Sequence, residues 1–190
     1  MKFKAMMFLS GTVLVLAACG QKGETNNSTE VNVATDNGMA VNDTAATPLP
    51  NSAQGFANMA AASDRFEIES SKLAETAGQS AAVKSFAAKM ITAHEGSTAK
   101  LKTTAAGLSP AVTPDDTLSA AQQADLDSLK AMKGAAFDAA YASAQVKAHQ
   151  QALDGLKAYA ASGDTPALKD LANGLVPTVT AHLNMAKGLK

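Results

Sequence analysis

The chain has 190 residues, 46% of them hydrophobic, and 16 basic side chains against 17 acidic ones give a net charge of −1. That balance excludes the basic footprint of a nucleic-acid binder and a polybasic membrane patch. A single cysteine excludes a disulfide framework.

Lys2 and Lys4 precede the apolar run 5–18, a charged n-region followed by an h-region. Its 14 residues fall short of the about 20 that span a hydrocarbon core, so residues 1–18 read as a secretory signal rather than a transmembrane helix. The run ends in Leu16-Ala17-Ala18-Cys19, which resembles the lipobox of bacterial lipoproteins. That resemblance implies cleavage before Cys19, diacylglycerol on its sulfur and an acyl chain such as palmitate on its amine. Gly20 stands where an inner-membrane retention signal would resemble Asp, which implies an outer-membrane anchor facing the periplasm. Without Lys2 and Lys4 the mature chain keeps 14 basic against 17 acidic residues, a net charge of −3, and no free thiol.

From Gly20 to about Ser52 the chain turns to Asn, Thr, Ser, Asp and Gly and closes on Pro48-Leu49-Pro50-Asn51. Such a segment cannot bury enough apolar area to offset its chain entropy. It reads as a disordered tether with a reach of about 30 Å. The expected organisation is a signal peptide over 1–18, a lipidated cysteine with its tether over 19–52 and a helical domain over 53–190.

Within that domain apolar residues recur at steps of three and four with no strand-like alternation, which predicts an all-α fold. A first helix is expected over 52–77, stopped by Gly78, with the inward stripe Phe56, Met59, Ala60, Ser63, Phe66, Glu67, Ser70, Leu73, Ala74 and Ala77. Glu67 on that stripe asks for a partner. A second helix is expected over 80–106, stopped by Gly107, with His94 in line with Val83, Phe86, Met90 and Leu101. Pro110 and Pro114 open a crossover, and Ser119 with Gln122 predicts a capping box on a short helix ending near Met132. Lys133-Gly134 is the expected break, because one helix running on to Ser162 would reach roughly 66 Å, out of scale with a compact domain. The third long helix, over 135–162, carries Asp138, Gln145, His149, Leu156 and Tyr159 near one face, with Asp138 expected to serve its own helix dipole. Gly163-Asp164-Thr165-Pro166 reads as stop, turn, N-cap and first residue of a fourth helix, in which Pro177 predicts a kink ahead of His182.

The combination of Phe66-Glu67-Ile68-Glu69, Val83 with Phe86-Ala87, Met90, His94, Phe137-Asp138 with Tyr141, Gln145-Val146, His149 and Pro177 with His182 resembles domain of unknown function 4142. That is a bacterial envelope family of outer-membrane proteins. The resemblance spans about 56–186 and implies a ferritin-like four-helix bundle with an extra short helix in the crossover between the second and third long helices. Ala93 departs from the family, whose members often carry Asp before the histidine, and so removes a possible supporting carboxylate.

The chain has three histidines, and His94, His149 and His182 all fall near the middles of their helices, as does Glu67. Middle positions meet whichever way each helix runs, so the four form one candidate layer, competent for copper, zinc or iron. Met90 and Met185 share helix faces with His94 and His182 and would add soft ligands favouring copper. Neither His94 nor His182 is preceded by the Glu of a Glu-x-x-His di-iron pair, since Ile91 and Val179 stand there. No phosphate loop, nucleophile elbow or Cys-His pair is present, and no catalytic residue is assigned. Two functions follow: a lipid-anchored, non-catalytic envelope module acting in stress tolerance or interaction, or a metal-binding protein built on the His/Glu layer.

Overall fold

A computed structural model of the protein describes residues 51–189. The expected signal peptide, Cys19 and all of the tether before Asn51 lie outside the described residues.

Among the described residues five helices follow one another, and local chemistry sets their ends. α1 (Ala53–Ala77) begins where Ser52 Oγ accepts from Gly55 N at 3.1 Å, and α2 (Ala81–Ala106) where Ser80 Oγ accepts from Ala82 N at 3.2 Å. Each such cap satisfies an orphan N–H and is worth about 1 kcal/mol. α3 (Ala120–Lys130) starts with the full Ser119–Gln122 capping box. α4 (Gly134–Ser162) starts on Gly134, whose φ of 63° an L side chain rarely adopts. α5 (Pro166–Lys187) carries Pro166 in its first turn and runs as one helix through Pro177. No described helix is long and apolar enough to cross a membrane.

Two contacts fix the topology. At one end of the bundle Phe56, early in α1, stacks on Tyr159, late in α4, with ring centroids 4.1 Å apart. At the other, Asp138 at the start of α4 accepts from Gln79 N at 3.0 Å and Ser80 N at 2.8 Å, in the turn between α1 and α2. α4 therefore runs antiparallel to α1 and parallel to α2, which a segment returning along the whole bundle makes possible; this is the one-crossover, ferritin-like arrangement. Asp138 also differs from expectation. Gly134 rather than Ala135 opens α4, which moves Asp138 beyond the first turn, and its carboxylate caps the entry to α2 instead.

α3 lies in the crossover against α1 and α4, with Leu126 and Leu129 buried beneath it. The buried face of α1 is wider than the predicted stripe. Ala57, Ala61, Asp64 and Ser71 are buried alongside Phe56 and Glu67, while Met59, Ala60, Ser63 and Leu73 are only half-buried. The stripe read from spacing is thus displaced by about one residue.

The core has two apolar ends. Phe56, Leu101, Leu156, Tyr159 and Leu168 belong to one, and Val83, Phe86, Met90, Phe137 and Tyr141 to the other. The buried polar residues Asp64, Glu67, Gln145, His94, His149 and His182 form a belt at mid-bundle.

Candidate metal centre

Three helices each contribute one buried imidazole to that belt: His94 from α2, His149 from α4 and His182 from α5. Their ring centroids are 5.6, 5.7 and 5.5 Å apart, close to an equilateral triangle. One ring nitrogen from each lies within 4.8 Å of the other two. An ion bound at roughly 2.0–2.1 Å from each nitrogen needs them about 3.4 Å apart, so the rings would draw together by about an ångström, within the range of small χ adjustments.

The hydrogen bonds behind the rings decide which nitrogens are free. His149 Nδ1 lies 2.9 Å from Gln145 O and 3.4 Å from Glu67 Oε1. The carbonyl is the nearer and can only accept, so Nδ1 carries the hydrogen and Nε2 presents a lone pair. His94 Nδ1 donates to Asp64 Oδ1 at 2.7 Å, while Ser97 Oγ and Thr98 Oγ1 donate to Asp64 Oδ2 at 2.8 and 3.0 Å. Backing an imidazole with a carboxylate or a backbone carbonyl is how proteins fix the tautomer and orientation of a metal-ligating histidine. His94 Nε2, His149 Nε2 and His182 Nδ1 remain buried without a partner. A buried polar atom left unpaired costs about 1–3 kcal/mol, and three at one spot call for an explanation. A cation shared by the three satisfies them together.

Electrostatics agrees for two of the three rings. Burial pulls His149 down to about 4, and burial with the nearby His94 charge pulls His182 down to about 4, so both are neutral and able to ligate at neutral pH. Burial works on His94 in the same sense, but its bond to Asp64 and the charges of Glu67 and Asp64 outweigh it and raise its pKa.

The four residues placed in one layer by their sequence positions are therefore neighbours, but not equivalent ones. Glu67 is buried at 1% exposure, and its nearest approach to a histidine nitrogen is to His149 Nδ1, on the side turned away from the free Nε2. Met90 is fully buried within the Phe86–Tyr141 cluster, and Met185 is 38% exposed. Asp64 is the residue that spacing alone passed over. It lies three positions before Glu67, one turn along the same helix, and supplies from α1 the carboxylate that Ala93 does not supply from α2.

A family model described as domain of unknown function (DUF4142) matches residues 38–189. Solved structures of similar fold include CopM in the Cu(II)-bound form, 18% identical with a TM-score of 0.61 over 72% of this chain and 94% of that one. CopM in the Cu(I)-bound form gives 18% and 0.60 over the same shares. CopM in the Ag-bound form gives 17% and 0.57 over 72% and 93%. At these identities the likeness establishes a shared helical fold. No curated protein matches the sequence.

Proposed function

The chain belongs to the domain of unknown function (DUF4142) family, and from that premise we propose that it is a non-catalytic, metal-holding module of the bacterial envelope. A transition-metal ion sits among His94, His149 and His182, and a lipid on Cys19 anchors the bundle, over 53–190, to the outer membrane through the 19–52 tether. The observation that carries the metal reading is the meeting of three buried histidines, each with an unpartnered ring nitrogen, two of which, His94 and His149, are braced from behind by Asp64 and Gln145 O. Likeness to a fold seen in copper- and silver-bound forms supports it. Imidazole suits copper, zinc and iron, and among divalent ions the ordinary order of affinity puts copper first. A centre this buried exchanges its ion slowly, which suits sequestration and, through it, tolerance of metal stress.

Titration of the purified protein with Cu(II) and Zn(II) tests the reading: one ion per chain is expected. His149→Ala should weaken binding by more than the roughly 10–100-fold that loss of an outer-shell partner costs. No binding of any metal at micromolar concentration removes the site. The belt would then act as a polar layer fixing helix register, a role that the hydrogen bonds of His94, Ser97 and Thr98 to Asp64 could serve. Anchoring is tested separately, since Cys19→Ala should abolish lipid labelling and leave precursor uncleaved.

A further inference from the structure

A cavity of about 280 Å³ opens between α2 and α5. Its mouth carries the exposed Thr92, Gly96 and Lys100, a row one turn apart on α2, together with the exposed Thr178 of α5. Its depth is apolar, with Phe56, Leu101, Leu156 and Val179 buried in the wall. Met59, Leu171 and Leu175 also line it and are only half-buried, so apolar side chains turned toward the bundle keep surface open to water. His94 and His182 border the cavity too, but their unpartnered Nε2 and Nδ1 are closed to solvent. The cavity is thus a site apart from the triangle.

We infer that this cavity binds a single-chain amphiphile, a medium-chain fatty acid, with its tail against Phe56, Leu156 and Leu175 and its carboxylate at Lys100. The inference goes beyond the metal reading and does not depend on it. Covering apolar surface that water now reaches favours an apolar guest. Volume sets its length: an apolar cavity of about 150 Å³ holds benzene, or about 25 Å³ per carbon, so the same packing gives this one room for about eleven carbons. A two-chain lipid is far larger than that. Charge sets the head. Lys100 is the one Lys or Arg on the lining, and among the described residues it pairs with no carboxylate. A single lysine answers a single negative charge, and a carboxylate resting at the mouth keeps its water while the tail loses its own.

Gly96 points the same way. A glycine inside a helix is destabilising relative to alanine, yet nothing in the packing asks for it, since a Cβ built there meets no atom within 4 Å. A large side chain at Gly96 would stand in the mouth, one turn from Thr92 and one from Lys100.

The test is calorimetric titration of the full chain with hexanoate, octanoate, decanoate, dodecanoate and hexadecanoate, each below its micelle concentration. Affinity should rise about fourfold per added methylene from hexanoate to decanoate and level off beyond dodecanoate. Gly96→Trp should abolish decanoate binding with helicity and melting unchanged, whereas Gly96→Ala should keep it. Lys100→Gln should weaken decanoate roughly two- to fivefold, the worth of an exposed ion pair, and leave decanol binding as it was. No binding of decanoate at millimolar concentration overturns the inference. So does an affinity that climbs unbroken to hexadecanoate, the mark of adsorption on the surface, and this series decides the matter even if Gly96→Trp fails to fold. Undiminished binding by a folded Gly96→Trp overturns the cavity as the site, and a decanoate affinity unmoved in Lys100→Gln overturns the place given to the carboxylate. None of these outcomes touches the metal reading, which the Cu(II) and Zn(II) titrations decide on their own.

Discussion

Asp64 and Glu67 are buried carboxylates one helical turn apart on α1, and their surroundings are opposite. Asp64 takes three donors, from His94, Ser97 and Thr98, at 2.7 to 3.0 Å. Neither oxygen of Glu67 has a donor, and burial lifts its pKa to about 7. Gln145 lies close enough to pull the other way, but its Nε2 is directed at Ser70 Oγ, 3.1 Å off. The difference divides the belt into a braced part and an open part. Asp64 holds a ring in place, whereas Glu67 keeps bonding capacity in reserve behind the His149 ring, 3.4 Å from its Nδ1. A polar layer that served only helix register would gain by satisfying both.

The largest way to test the contrast is Asp64→Ala. It leaves the buried His94 Nδ1 and the Thr98 hydroxyl without their acceptor, and should cost about 3–5 kcal/mol in denaturant unfolding, the range for breaking a buried pair on one side. Asp64→Asn, which keeps an acceptor, should cost less. An Asp64→Ala cost no greater than that of Glu67→Ala would erase the contrast.

Acid probes the open part next. His149 is depressed from 6.5 to about 4, so its share of stability is complete above pH 6.5 and is lost as pH falls toward 4. That share is about 3 kcal/mol. His182 moves in the same direction, and His149→Gln should remove the His149 part of the slope. Glu67 has the reverse dependence. Lifted from 4.5 to about 7, it stays protonated in the fold while ionised in the open chain, so it lowers stability progressively between those values. In metal-free protein Glu67→Gln should therefore gain on the unmodified chain as pH rises from 4.5 to 7. The gain should be about 2–3 kcal/mol, somewhat below the full pKa displacement because the open chain at pH 4.5 and the fold at pH 7 are each only half titrated. Bound metal, by answering the carboxylate's charge, should shrink it. A gain that metal leaves untouched would mean that Glu67 does not sense the triangle.

Much of this was legible in the sequence. Ser52, Ser80, the Ser119–Gln122 box, Gly134 and Pro166 are local devices whose chemistry depends on the few residues around them, so the helix ends could be read within a residue or two. The meeting of His94, His149 and His182 was legible because midpoints of helices of similar length coincide in a bundle whatever their direction. The partners behind the rings were not. Asp64 enters the site because it lies on the side of α1 that α2 covers, where His94, Ser97 and Thr98 reach it, a displacement of roughly 100° from the predicted stripe that hydrophobic spacing cannot assign among alanines and serines. Asp138 was misassigned for a related reason: the N–H groups that it accepts from lie in the turn between α1 and α2, and only the antiparallel pairing of α1 with α4 brings them within reach. The cavity at α2 and α5 likewise has no sequence mark beyond an unexplained Gly96.

The smallest expected effect concerns the thioethers, and it bears on whether the open part of the belt is confined to nitrogen and carboxylate. Spacing puts Met90 and Met185 on the faces of His94 and His182, which would make them soft ligands for Cu(I). The structure buries Met90 among Phe86 and Tyr141 and leaves Met185 38% exposed, while the atoms that lack partners are ring nitrogens and the oxygens of Glu67 and Gln145. Met90→Leu with Met185→Leu should therefore leave both copper and zinc affinities within about twofold, a change of roughly 0.4 kcal/mol. Stability should fall by less than about 1.5 kcal/mol, nearly all of it from the volume-conserving swap at the fully buried Met90. Competition titrations with Cu(I) and Zn(II) on the double variant decide the point. A tenfold loss for copper with zinc unchanged would put a thioether on the ion and extend the open region toward the Phe86–Tyr141 end of the core.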